Sequence, residues 1–194
     1  GQAIYESVGI ESLGRRLGSV RQLQGRMLGA YGVAIVLLLV PLSIYAINYR
    51  PFVAANAVVQ AGNSSTWDEA RDHFEHSIDS FPPLANYSRR FLYDAVLRNW
   101  DTLTKEQAQG AISLVEKEGR RALEAEPRGW LQYVGLTHVY QKASSLDPRY
   151  LDKARQYLDK VTELAPDTSQ VASLQERQQQ LENEKFSSQE AGGQ

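Results

Sequence analysis

Cysteine is absent from the 194 residues. That excludes a disulfide framework, a thiolate nucleophile and a zinc knuckle, and it leaves the redox compartment unread, because cysteine-free chains suit reducing and oxidising spaces alike. Histidine occurs three times, and the sequence holds no His-Glu-x-x-His pair, Gly-rich phosphate loop, nucleophile elbow or kinase-type motif. Nucleotide use and hydrolase chemistry therefore have no support. An excess of positive charge is also missing. With 21 basic and 23 acidic side chains the net charge is -2, which gives no counterion-release drive toward nucleic acid. Strand-type alternation is nearly absent, so the expected class is all-α. A hydrophobic fraction of 42% is ample for a packed domain and excludes a disordered chain.

The apolar residues are not evenly spread. From Met27 to Tyr49 the sequence MLGAYGVAIVLLLVPLSIYAINY carries no charge. As a helix rising about 1.5 Å per residue it covers the roughly 30 Å hydrocarbon core of a bilayer, so 27–49 reads as a single transmembrane helix. Tyr31, Tyr45 and Tyr49 lie near its ends, where amphipathic rings favour the headgroup level. Pro41 removes a backbone donor inside the span and predicts a kink. The run is too long for a secretory signal and begins 26 residues into the sequence. Arg15, Arg16, Arg21 and Arg26 precede it, whereas Arg50 alone follows before Arg71. The positive-inside bias places the N-terminus in the cytoplasm and everything from Arg50 onward outside an inner membrane. The charge is then +2 before the span and -4 beyond it. Segment 1–26, with Ile4, Val8, Leu13, Leu17 and Val20 among its arginines, suggests a helix lying on the inner surface. With Gly first and Met27 the one methionine, either an initiator Met has been removed or the chain is a piece of something longer.

Beyond the span the sequence compares with itself. WDEARDHFEHSIDSFP (67–82) aligns with LDKARQYLDKVTELAP (151–166), and a weaker copy ends in EGRRALEAEP. Counting back from each proline gives Ala70, Phe74, Ser77, Pro82; Val115, Gly119, Ala122, Pro127; and Ala154, Leu158, Val161, Pro166. These offsets resemble the second helix of tetratricopeptide repeats, in which a small residue sits where helices cross, a bulky one fills the groove and proline ends the helix. Gly119 departs from the bulky position, and the prolines are 45 and 39 residues apart rather than about 34. First helices are expected over 51–61, 84–100 and 129–143, with Gly135 at a close helix approach. Thr66 with Glu69 and Thr104 with Gln107 read as capping boxes, and Asp147 with Pro148 as an N-cap followed by proline. The expected architecture is one membrane helix, a tetratricopeptide-like domain over 50–166, a polar capping helix over 167–186 resting on Val171, Leu174 and Leu181, and a flexible tail over 187–194.

First helices of stacked repeats line a concave surface. Arg90, Asp94 and Arg98 recur at i, i+4 with Asn86, Tyr93 and Asp101 around them, and Tyr133, Thr137 and Gln141 of the next first helix are expected to complete the wall. The plainer alternative for the arginines is a solvated salt-bridge ladder. His73 and His76, at i, i+3 among carboxylates, are two ligands short of a metal site and read as a solvated helix face. His138 reads as a packing residue. No catalytic, cofactor or metal residues are assigned.

The junction Asn48, Arg50, Pro51, the alanine-rich stretch after it and the run Leu146 to Ala154 (LDPRYLDKA) resemble the C-terminal part of O-antigen ligase and polymerase family proteins, over residues 27 to about 170. The resemblance implies exported repeats attached to a glycan-transferring membrane enzyme that uses a lipid-linked sugar donor. Such enzymes have many membrane helices and a large extracytoplasmic loop carrying the reacting groups. The chain contains neither, so no catalytic residue carries over.

Two functions follow as expectations. The first is an anchored protein-interaction scaffold or accessory subunit, with a membrane-embedded protein partner, the bilayer itself and no nucleic acid. The second is the non-catalytic C-terminal portion of a glycan ligase or polymerase. The orientation is open to a direct test: protease added to right-side-out membranes should cut the chain beyond Arg50 and spare 27–49, whereas an uncut chain reverses the topology.

Overall fold

The computed structural model describes residues 31–191. The surface helix expected in 1–26, the first residues of the apolar run and positions 192–194 lie outside the described residues. The chain divides into two compact units, Gly1–Tyr49 and Arg50–Gln194, and every described element is helical.

In the first unit, α1 (31–44) continues straight into a π-helical turn, Tyr45–Tyr49. Helical geometry continues through Pro41 although its donor is missing, and the irregularity falls at Tyr45–Tyr49, where one extra residue enters the turn. Tyr45 and Tyr49 stack there at 5.4 Å between ring centroids. None of the apolar side chains of 31–49 is buried by protein. Among the described residues, the helix Tyr31–Asn63 is long and apolar enough to cross a membrane.

The second unit consists of α2 (Arg50–Asn63), α3 (Trp67–Ser80), α4 (Ala85–Asn99), α5 (Lys105–Ala125), α6 (Trp130–Ala143), α7 (Arg149–Leu164) and α8 (Ser169–Ala191). The helices lie where the apolar spacing predicts. Ala54, Ala57, Val58 and Ala61 form the buried stripe of α2 at helical spacing. All the residues counted back from the three prolines, Gly119 included, are buried. Pro82, Pro127 and Pro166 each follow a non-helical residue just past a helix end, Phe81, Glu126 and Ala165. Proline's ring disfavours helical geometry in the residue before it, so each helix stops there.

Caps fix the starts. Thr104 and Gln107 make both bonds of the capping box, at 3.2 and 3.1 Å. Thr66 accepts from the Glu69 N–H at 3.3 Å, but Glu69 reaches back to the Ser65 N–H rather than to that of Thr66. Helix α7 starts at Arg149, one residue later than expected, with the Asp147 carboxylate accepting from the Arg149 N–H at 2.9 Å. Helix α8 continues to Ala191, so the stretch from 187, expected as a tail, extends the helix.

Neighbouring helices along the chain pack against each other, α2 on α3 and α6 on α7 most extensively. Helices two apart run parallel. Gln132 Nε2 donates to the Asn86 carbonyl, Gly135 abuts Tyr93, and Lys142 pairs with Asp101, so α4 and α6 advance together. Lys117 with Glu75 and Arg121 with Asp79 place α5 alongside α3 in the same sense. Glycine is required at two of these approaches. A Cβ at Gly135 would fall 2.5 Å from Tyr93 Cδ2, and one at Gly119 would fall 2.7 Å from Leu136 Cδ2. Leu136 thus takes the space that a bulky residue at 119 would fill.

Polar side chains seal the seams. Ser77 Oγ donates to the Ala54 carbonyl at 2.7 Å and lies 2.8 Å from Ser88 Oγ, joining α2, α3 and α4. Arg50 donates twice to the Ser80 carbonyl, tying the start of α2 to the end of α3. Between α4 and α5, Arg89 Nε meets Glu118 Oε2 at 3.1 Å with both side chains shut away from water. Arg121 Nη1 reaches the other Glu118 oxygen at 2.8 Å.

Removing one partner of a buried ion pair leaves the other charge uncompensated. Glu118→Ala should therefore lose about 3–5 kcal/mol of stability. Lys160→Ala, which breaks the exposed pair with Glu163, should leave the transition in place. Thermal unfolding followed by circular dichroism in detergent measures both.

Candidate functional site

The outer face of α4 carries several of the residues expected to line an interaction surface. Arg90, Asp94 and Arg98 stand exposed one turn apart, with Tyr87 exposed beside them and Phe91 half-buried. The rings of Tyr87 and Phe91 meet edge to face at 4.7 Å. The i, i+4 ladder is not formed: no ion pair joins Arg90, Asp94 or Arg98 to any described residue. Elsewhere Arg71, Lys117, Arg121, Arg149, Lys153, Arg155 and Lys160 each have a carboxylate within 4 Å. The α4 strip is thus a row of solvated charges without internal partners.

Asn86 is committed to the fold. Its amide donates to Glu126 at 3.1 Å and accepts from Arg89 at 2.8 Å, while its backbone carbonyl holds Gln132. Arg90 borders a hollow of about 270 Å³ with Tyr87, Arg128 and Trp130. Arg98 borders another, of about 520 Å³, beside Ser64, Ser65 and Thr66 of the α2–α3 connection.

Three residues expected on the wall are core residues instead. Tyr93 is 1% exposed, because α6 approaches α4 through Gly135 directly over its ring. Burial raises its phenol far above the ordinary value, opposed by the nearby Arg89, so it stays neutral. Thr137 is fully buried and donates to the Tyr133 carbonyl at 2.8 Å. Gln141 is also buried, its Nε2 donating to the Leu174 carbonyl of α8 at 3.0 Å and to Gln178 Oε1 at 3.3 Å. Tyr133 is half-buried, facing Tyr157 of α7 at 6.0 Å, with its hydroxyl donating to the Pro127 carbonyl.

The face of α6 that adjoins the α4 strip is instead Leu131, Gly135, His138 and Lys142, spaced i, i+4, i+7, i+11. Leu131 shares the hollow with Arg90, and Lys142 pairs with Asp101 at 2.9 Å. His138, expected in the packing, is exposed on this face. The usable signal was the run His138, Lys142 one turn apart, the only ionisable side chains of α6 apart from its tyrosines. His73 and His76 gather no ligand set: among the described residues no group of three or more His, Cys, Asp or Glu could hold a metal ion.

Comparison with protein-family models, with curated proteins and with solved structures finds no match for the chain.

Local desolvation lowers the His138 pKa below its ordinary value, and the Asp94 carboxylate across the seam opposes that shift. His138 is therefore neutral at pH 7. A folded value below the unfolded one favours the native state above the unfolded value, and that contribution is lost as pH falls through the folded value. The C2-proton titration of His138 should have its midpoint below that of an unstructured histidine, and Asp94→Asn should move it lower still. An upward movement would contradict the assignment.

Proposed function

We propose that the chain is a membrane-anchored interaction scaffold, an accessory subunit that binds a membrane protein partner through the outer faces of α4 and α6. The observation that carries this is the unpaired strip Arg90, Asp94, Arg98. Charges held in water beside the exposed ring of Tyr87, without internal counter-ions, are available to a complementary surface, whereas the paired charges of α3, α5 and α7 are already engaged.

The helical unit is read as tetratricopeptide-like. Parallel alignment of α4 with α6 and of α3 with α5, burial of the residues counted back from each proline, and proline stops after α3, α5 and α7 support that reading. Contacts between these helices join residues about 40 apart, such as Glu75 with Lys117, Asp79 with Arg121 and Asp101 with Lys142. That is close to the spacing of the prolines. The anchor is 27–49, with the N-terminus inside and the repeats outside. The apolar surface of 31–49, unburied by protein, is what a bilayer would cover.

The test is copurification from native membranes in mild detergent. The double variant Arg90→Glu, Arg98→Glu should lose the partner retained by the wild type, with helical content unchanged. Lys160→Glu, on the outside of α7, should retain it. Equal recovery with both variants removes the α4 strip from the binding surface.

A further inference from the structure

Beyond the α4 strip, the end of the helical array holds a second and separate feature. Between the α6–α7 turn, the stretch of α8 from Arg177 to Lys185 and the turn after α4 lies a cleft of about 520 Å³. That is within the range of pockets that take small ligands and peptide ends. Its apolar wall is Trp100, Leu151 and Leu181.

At its side Gln141, 4% exposed, carries an unsatisfied acceptor: Oε1 has no hydrogen-bond partner. The orientation of this amide is fixed, because Nε2 is held by two acceptors, the Leu174 carbonyl and Gln178 Oε1. Gln178 is fixed in turn, its own Nε2 donating to the Leu151 carbonyl at 3.1 Å and to Glu182 at 2.7 Å. Turning either amide over would set oxygen against oxygen. A buried acceptor without a donor costs about 1–3 kcal/mol, and because Oε1 is itself closed off from solvent, Gln141 seals this wall of the cleft rather than offering a contact.

The charges around the cleft are unequal in their engagement. Asp101 is neutralised by Lys142 at 2.9 Å. Arg177 and Lys185, two turns apart on α8 with Leu181 between them, border the cleft with no ion pair to any described residue. Glu184 stands on the same rim.

We propose that this cleft captures the carboxyl-terminal end of a peptide whose last residue is apolar. The side chain would pack on Trp100, Leu151 and Leu181, and the terminal carboxylate would lie between Arg177 and Lys185. These are two groups that such a terminus offers together, and the cleft has a counterpart for each. The site is independent of the α4 strip, and its success or failure leaves that reading untouched.

The probe is a fluorescein-labelled Gly-Ser-Gly-Ser-Ala-Leu peptide with a free carboxylate, followed by fluorescence anisotropy against the full chain in detergent. Saturable binding is expected, at least ten-fold weaker for the same peptide as its carboxamide. Arg177→Ala with Lys185→Ala should weaken it by a similar factor while helical content stays constant, and Arg90→Glu with Arg98→Glu should leave it unchanged. No saturable binding at millimolar peptide, equal affinity for acid and amide, or indifference to the Arg177 and Lys185 changes overturns the proposal.

Discussion

Arg89 and Glu118 are held together between α4 and α5, out of reach of water, and the middle of the helical array is organised around that pair. Arg89 also donates to Asn86, Asn86 in turn holds Glu126, and the Asn86 carbonyl receives Gln132 of α6. On the other side Glu118 accepts from Arg121, whose second partner is Asp79 of α3. One network thus touches α3, α4, α5 and α6. The desolvation cost of such a pair is large, and a well-packed apolar replacement is often as stable. Its more specific effect is on register, since a slide of α5 along α4 would strand both charges.

Register needs fixing here because many of the apolar contacts are small. Ala54, Ala57, Ala61, Ala70, Ala95, Ala108, Ala111, Ala122, Ala143 and Ala154 are all buried. Alanine lets helix axes approach closely but interdigitates little, so one translation of a helix resembles the next. Three seams carry a polar fastener: Ser77 and Ser88 near α2, Arg89 and Glu118 in the centre, Gln141 and Gln178 at α8. The same network sorts the arginines: Arg89 is spent on the fold, and Arg90 and Arg98 on the outer face of α4 remain in water. At α8 the fastening is incomplete, with one oxygen of Gln141 left over beside an open cleft.

Much of the helical layout was legible from residue order. The proline stops after α3, α5 and α7, the caps at Thr66 and Thr104, and the close approach at Gly135 all rest on local chemistry or on residues within a turn or two. The wall on α6 was not. Tyr133, Thr137 and Gln141 share one helical face, and so do Leu131, Gly135, His138 and Lys142. Both faces are plausible because α6 is buried nearly all round, with Gln132, Val134, Leu136, Val139, Tyr140 and Ala143 among its core residues. Without a polar side, periodicity has nothing to orient against. The extension of α8 to Ala191 was missed for a related reason, its sparse apolar residues giving no stripe to follow past Leu181.

By itself, then, the sequence determined an apolar helical run long enough to span a bilayer, the segregation of charge on either side of it, and a series of helices whose ends are written in prolines and caps. These are properties of neighbours along the chain. Tertiary structure alone decided which polar residues face water. Arg89 and Arg90 are adjacent, yet one is walled in by Glu118 and Asn86 while the other stands in solvent, because successive residues on a helix point about 100° apart and only the packing of α5 selects which of them is covered.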